Sequence, residues 1–256
     1  MFKSAIVRAP GPNFAAGLTS ASLGTPDFDR VLVQHQRYCA ALERCGLTLI
    51  RLEADERYPD STFVEDTAIL TLHGAILTRP GAESRRGEAE SMQVVLDSLY
   101  PSLSTIVAPG TLDGGDICQT DSGFLIGITE RTNAAGAQQL ADLLARQGYA
   151  ATCVDIRGVP GLLHLKSGLS YLGNNQLAIV GALADHPAFQ GYELILVPNG
   201  EEYAANFVRI NDYVVLAAGF PRMRAAIEAL GYPVIALEMA EFQKMDGGLS
   251  CLSLRF

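Results

Sequence analysis

No stretch of this chain approaches the eighteen or so uncharged apolar residues that a membrane-spanning helix needs, which excludes the usual helical membrane protein. The opening run Met1-Phe2-Lys3-Ser4-Ala5-Ile6-Val7-Arg8 is too short in apolar residues, and too interrupted by charge, for an export signal. A soluble, cytoplasmic protein with no membrane partner is therefore expected. Cysteine pairing is missing as well: the five cysteines, at 39, 45, 118, 153 and 251, form no CxxC pair and no regular framework, so neither a disulfide scaffold nor a zinc ribbon fits. Basic charge is scarce. With 19 Lys and Arg against 28 Asp and Glu the net charge is −9, which disfavours nucleic acid as a partner and makes a cation easier to accept than an anion. What the chain does have is 256 residues, 48% of them apolar and 18% charged, enough to bury a core in one large domain or two small ones.

Short β-rich hairpins alternate with amphipathic helices. Val64–Thr71 and Ala75–Thr78 flank His73-Gly74; Asp116–Thr120 and Phe124–Ile128 flank Asp121-Ser122-Gly123. Leu169–Leu172 and Gln176–Val180 flank Gly173-Asn174-Asn175, and Asn206–Ile210 and Tyr213–Ala217 flank Asn211-Asp212. Helices are predicted over Ser84–Leu99, stopped by Pro101, and Thr132–Gln147, with Thr132 as the cap and Gly148 just beyond the end. Extended segments Thr105–Ala108, Ala150–Ile156 and Leu194–Val197 follow, so a hairpin, helix, strand unit recurs at intervals of roughly forty to fifty residues. A fifth unit is completed if Cys251–Phe256 pairs with Phe2–Arg8 ahead of the helix Pro26–Cys45 and the strand Leu47–Leu52. The expected architecture is one α/β domain over 1–256, a ring of five ββαβ units with pseudo-fivefold symmetry closed by the terminal strands. An ordinary doubly wound sheet fits the alternation equally well but gives no reason for repeated hairpins.

Polar residues precede the first strand of each hairpin: Asp60 to Asp66, Asp113-Gly114-Gly115-Asp116, Leu163-His164-Leu165-Lys166, Ala204-Ala205-Asn206, and Gly247-Gly248-Leu249-Ser250-Cys251. If the units surround an axis, acids, a histidine and a cysteine would meet there. Each residue also has a structural reading. Cys39, Cys45, Cys118 and Cys153 sit in helix or strand patterns and read as small apolar fillers. Cys251 differs in following two glycines, which allow unusual backbone conformations, at a strand edge where a thiol can face a cavity. His164, among leucines, reads as either a satisfied core histidine or a general acid and base, and Asp113 as either a turn cap or the acid that orients that imidazole. Glu65-Asp66 is either a charged edge or a buried pair needing a cation, and a guanidinium offers a planar fork of donors for the purpose, with Asp60 as a third acid. Arg85 near one helix start and Arg131 at another put positive charge against the helix dipole, which invites an anion. Acids at one end and arginines at the other would suit an amino acid.

These stretches, with Gly17-Leu18-Thr19-Ser20, Phe63-Val64-Glu65-Asp66, Thr78-Arg79-Pro80-Gly81-Ala82, Leu112 to Asp116, Arg131-Thr132-Asn133 and Asp246-Gly247-Gly248, give the chain a resemblance over essentially its whole length. It resembles the dimethylarginine dimethylaminohydrolases of the guanidino-group-modifying (amidinotransferase and arginine deiminase) superfamily, in their short bacterial form. The resemblance implies a five-bladed α/β propeller, no cofactor and no metal. It implies Cys251 as nucleophile, His164 as general acid and base, and Asp113 as its support, at a position that is glutamate in some relatives. Asp60, Glu65 and Asp66 would bind the guanidinium, and Arg85 and Arg131 the α-carboxylate and neighbouring groups. Leu18 would lie on a lid, with Met245 packing nearby where a branched apolar residue also occurs.

The implied reaction hydrolyses dimethylarginine, and monomethylarginine, to citrulline and the corresponding amine through a covalent thiouronium on cysteine. The implied partner is a small methylated arginine and the implied assembly a homodimer. The rival is arginine deiminase-like release of ammonia from unmethylated arginine by the same chemistry. Size and the Gly17-Leu18-Thr19-Ser20 segment argue against it. A non-catalytic binder of guanidino compounds would leave Cys251 and His164 without a shared purpose.

Overall fold

The helix expected near the N-terminus forms as α1 (Phe28–Arg44) because its apolar positions fall on one stripe. Val31, Tyr38, Cys39 and Leu42 are buried, and the Asp27 side chain accepts from the Arg30 amide at the exposed first turn. The computed structural model describes residues 1–256. Contacts group them into two compact units, one of Met1–Glu65 with Asn206–Phe256 and one of Asp66–Ala205. No helix is long and apolar enough to cross a membrane.

Five three-stranded sheets are the five blades expected from the repeat. The first unit holds two of them. In one, β1 (Ser4–Arg8) lies between β2 (Thr48–Leu52), parallel, and the last strand β15 (Leu254–Arg255), antiparallel, with Ala5 opposite Arg255. The terminal strands thus share a sheet, as anticipated. The second sheet runs β12 (Val208–Ile210), β13 (Tyr213–Ala217) and β14 (Val234–Leu237), with α5 (Pro221–Ala229) as its crossover. Neither α5 nor β14 is among the elements read from the sequence. In the same unit the rings of Phe14, Phe63 and Phe242 pack with centroids 5.5 to 6.3 Å apart.

The second unit holds three sheets of the same plan, each a hairpin followed by a parallel third strand. They are β3 (Ala68–Thr71), β4 (Gly74–Leu77) and β5 (Leu103–Thr105); β6 (Ile117–Thr120), β7 (Gly123–Ile128) and β8 (Ala151–Asp155); and β9 (Leu169–Gly173), β10 (Gln176–Ile179) and β11 (Glu193–Leu196). Helix α2 (Arg86–Leu99) joins β4 to β5, and α3 (Ala134–Arg146) joins β7 to β8. A core of Ile69, Ile76, Leu112, Ile126, Leu140 and Leu144 runs beneath the first two of these sheets. The third has no α-helical crossover: two 3-10 turns, Gly181–Leu183 and Pro187–Phe189, take its place.

Several expected boundaries move, and the polar residues are the reason. Val64–Thr67, Gly114–Asp116 and Ser250–Leu252 are 3-10 turns where strands were expected to begin, and the strand expected from Asn206 starts at Val208, after the 3-10 turn Glu202–Ala205. A strand sends alternate side chains to opposite faces, whereas a turn can aim neighbouring polar groups at partners nearby. The cap of α3 is Asn133, whose side chain accepts from the Gly136 amide, not Thr132; the Thr132 hydroxyl instead accepts from the Asp113 amide. Short helix α4 (Leu165–Gly168) starts directly after His164.

Candidate active site

In the unit formed by Asp66–Ala205, the turn Gly114–Asp116 and the start of α4 bring four ionisable groups together. His164 Nε2 lies 3.0 Å from Asp113 Oδ2, and the other oxygen of Asp113 accepts from the Gly81 amide at 2.8 Å. Asp113 is fully buried and His164 8% exposed, so the pair is shielded from water. Asp116, also fully buried, accepts from the Leu165 amide and the Thr129 hydroxyl, both at 2.9 Å. Asp66 Oδ1 accepts from the Gly115 amide at 2.8 Å. A side chain at Gly115 would lie 2.7 Å from His164 Nδ1, so glycine is needed for the close approach of the turn to the imidazole.

Arg85 completes this cluster. Its Nη1 donates to Asp66 Oδ2 at 2.7 Å, and its Nε and Nη2 grip the Glu88 carboxylate at 2.8 to 3.2 Å. Arg131 stands half-buried before α3, its amide donating to Thr129 Oγ1 and its carbonyl packed so tightly against Gly81 that a Cβ there would come within 2.3 Å.

The charges act on each other strongly because they are out of water. Burial works against a charged His164, but Asp116, Asp66 and the Asp113 hydrogen bond outweigh it and raise the imidazole to about 9. Burial raises the Asp116 carboxyl to about 6 despite the pull of His164. Burial also opposes ionisation of Asp66, yet Arg85 and His164 bring it down to about 2. The imidazole is thus an acid at neutral pH. Ligand atoms of Asp66, Asp113 and His164 lie within 4.8 Å of one another, a spacing a metal ion could use. Arg85 on Asp66 and a proton on His164 would both compete with such an ion, so the set reads as a proton-handling group.

The unit formed by Met1–Glu65 and Asn206–Phe256 carries the second group. Cys251 sits half-buried in the turn Ser250–Leu252, its sulfur 3.4 Å from the donating Gly248 amide. Cys39, Cys45 and Cys118 are buried, and Cys153 is exposed. The two glycines before Cys251 are required for space rather than for unusual torsions: a Cβ would lie 2.4 Å from the Phe63 ring at Gly247 and 2.5 Å from the Asn206 side chain at Gly248. The left-handed backbone conformation falls one residue earlier, at Asp246 (φ 55°).

Glu65 is buried, with Ser250 Oγ donating to one oxygen at 2.7 Å and Arg255 Nη2 to the other at 3.1 Å. Asp60, also buried, accepts from the Leu18 amide at 3.1 and 3.2 Å. Leu18 is 42% exposed, while Met245 is buried with its methyl against Gly17. Thr19 and Ser20 fasten the following segment to the Lys244 carbonyl and the Asp246 carboxylate.

Of the ten residues singled out in the sequence, Leu18, Asp60, Glu65, Met245 and Cys251 therefore belong to one unit, and Asp66, Arg85, Asp113, Arg131 and His164 to the other. Four partners were missed as site residues: Glu88, Asp116, Ser250 and Arg255. Glu88 was open to detection as an acid one helical turn after Arg85. Asp116 stood in the Asp113-Gly114-Gly115-Asp116 run with no role assigned. Ser250 and Arg255 carried no signal beyond proximity to Cys251.

The model of the arginine deiminase family matches residues 56–188. N(G),N(G)-dimethylarginine dimethylaminohydrolase of Pseudomonas aeruginosa is 45% identical, with both chains covered in full. The chain belongs to the dimethylarginine dimethylaminohydrolase family. The enzyme of that name from Streptomyces coelicolor is 34% identical over 99% of this chain and 96% of its own. Among solved structures, a cysteine-to-serine variant of the Pseudomonas aeruginosa family member complexed with citrulline matches with a TM-score of 0.97 at 44% identity, all of both chains being covered. A histidine-to-glycine variant carrying an S-methyl-L-thiocitrulline adduct matches with a TM-score of 0.96, also at 44% identity and full coverage of both chains. The five-bladed α/β propeller of this family is the fold class expected from the repeat.

Proposed function

We propose that this enzyme hydrolyses N-omega,N-omega-dimethylarginine, and monomethylarginine, to citrulline and dimethylamine or methylamine, with Cys251 as nucleophile and His164 as acid and base. Glu65, Asp66 and Asp60 receive the guanidinium, whose positive charge makes its central carbon electrophilic. The Cys251 thiolate adds to that carbon. The tetrahedral adduct collapses as the carbon–nitrogen bond to the departing amine breaks and His164 gives that nitrogen a proton. A thiouronium remains on the sulfur. His164, now neutral, takes a proton from water as its oxygen attacks the same carbon; the carbon–sulfur bond then breaks while the remaining hydroxyl proton passes to solvent, where the released amine takes it up, giving citrulline and restoring thiolate and imidazolium.

Asp113 is proposed to hold the imidazole in place, and Arg131 to take the substrate carboxylate. Arg85 adds its charge toward the same carboxylate, and its bond to Asp66 orients that acid for the guanidinium. Leu18 closes over the ligand and Met245 shapes the wall beneath. The reading includes one catalytic domain, a cytoplasmic setting and a homodimer.

The observation that carries the proposal is the His164–Asp113 pair at 3.0 Å, with surrounding acids keeping the imidazole protonated to about pH 9. That is the state a leaving amine requires. The test offers purified protein arginine, monomethylarginine and dimethylarginine, and measures citrulline together with ammonia, methylamine or dimethylamine. Citrulline with dimethylamine is expected. Ammonia from arginine as the dominant product would favour the deiminase reaction instead. Cys251→Ser is expected to abolish turnover while still binding ligand, and normal turnover in that variant would require another nucleophile.

A further inference from the structure

Glu65 is a carboxylate with only 4% of its surface exposed, and an acid placed there needs partners that satisfy its charge and fix its direction. Ser250 supplies one of them from the residue directly before the cysteine. Its hydroxyl donates to Glu65 Oε2 at 2.7 Å and accepts from Asn206 Nδ2 at 3.1 Å, while its amide donates to Asn206 Oδ1 at 2.9 Å. The Asn206 amide group thus grips Ser250 at two points, using both its donor and its acceptor. Arg255 closes the arrangement from the other end of the turn. Its Nη2 donates to Glu65 Oε1, and its Nη1 to the carbonyls of Ser250 and Ser253 at 3.1 and 2.9 Å and to Ser253 Oγ at 2.8 Å. The Ser253 hydroxyl in turn lies 2.6 Å from the Tyr38 hydroxyl.

We infer that Ser250, gripped by Asn206 and bracketed by Arg255, is a positioning residue that orients Glu65 for a cationic ligand and ties that acid to the turn bearing Cys251. The inference rests on the reading that Glu65 receives the guanidinium. A hydrogen bond to a charged acceptor loses most when the acceptor has to meet another charge in one geometry, so disturbing Ser250 penalises a cationic ligand more than a neutral one. General loosening of the fold would penalise the two alike.

Calorimetric titration of arginine, a cation, and citrulline, its neutral ureido counterpart, separates these cases in a Cys251→Ser background that prevents turnover. Adding Ser250→Ala is expected to weaken arginine binding about tenfold or more and citrulline binding less than about threefold. Asn206→Ala leaves the Ser250 hydroxyl in place but removes the Asn206 contacts to that hydroxyl and to the Ser250 amide, and is expected to give the same split at about threefold for arginine. Should Ser250→Ala fail to fold, Asn206→Ala alone decides. Equal losses for the two ligands, or no loss for either, in a folded variant would overturn the inference. Glu65→Gln is the control for the underlying reading. Intact arginine binding in it would remove Glu65 from the site altogether, whereas its loss alongside unsplit Ser250 and Asn206 variants would remove the positioning role alone.

Discussion

Replacing Asp113 with asparagine takes one charge and one charged hydrogen bond away from His164 and leaves Asp116 and Asp66 in place. Keeping the imidazolium from its ordinary 6.5 up to about 9 amounts to about 3 kcal/mol, after burial has worked in the opposite direction. A charge-assisted hydrogen bond such as the 3.0 Å contact to Asp113 carries about 1.5–3 kcal/mol, so Asp113→Asn should lower the His164 titration by about one to two pH units. The chain has four histidines, and carbon-13 labelling of their rings with His164→Gln for assignment isolates the relevant signal. Stability should follow. A histidine raised by folding stabilises fully below 6.5 and loses that contribution as pH rises through its folded value, here about 9. Urea unfolding of the parent protein should therefore show this loss spread between about pH 6.5 and 9, and the variant should lose less, over a window that ends at lower pH. Proton delivery to the leaving amine at pH 8 should weaken in step. A His164 midpoint unchanged to within about half a pH unit in Asp113→Asn would refute the charge arrangement argued for this pair.

Arg85→Met leaves Asp66 and Glu88 buried without their cation and is expected to destabilise the fold by about 3–5 kcal/mol in urea at neutral pH. The same variant should unfold at a higher pH on acidification. Asp66, held near 2 by Arg85 and His164 against burial, contributes stability above about 3.8 that is lost as pH falls through 2, and the variant gives up most of that contribution. Gly115→Ala places a methyl 2.7 Å from His164 Nδ1 and 3.0 Å from Asp66 Oδ1, so kcat should fall by about a hundredfold and, because Asp66 is crowded too, arginine binding to the Cys251→Ser form should weaken with it.

The blades were legible because hairpins leave a local signature. Gly74, Gly123, Asn174, Asn175 and Asn211 all take positive φ at the turns where the sequence placed them. Helices α1, α2 and α3 were legible from their apolar stripes. What stayed hidden depended on partners distant in the chain. Val64–Thr67 looks like the start of a strand because Val64 and the residues beyond Thr67 are apolar, but Glu65 and Asp66 are satisfied by Ser250, Arg255, Gly115 and Arg85. Periodicity contains none of that information. The missing helix between β10 and β11 has a similar origin: Pro187 and the glycines at 181 and 191 interrupt the segment and favour two short turns.

Glu65 and Asp66 looked like buried acids awaiting an outside cation, yet the chain supplies Arg255 to one and Arg85 to the other. In the unit with His164, Arg85 pairs with Asp66 and Glu88, while His164, raised to about 9, pairs with Asp113. In the other unit the buried acids Glu65 and Asp60 accept from Arg255 and from the Leu18 amide respectively. Carboxylates held out of water by such partners keep a fixed direction, and a planar cation with several donors can match that arrangement. Internal arginines therefore fix the direction of these acids within the fold itself, and on the reading that the acids receive the substrate, the charge of a guanidinium, which a ureido group lacks, is what such carboxylates would discriminate.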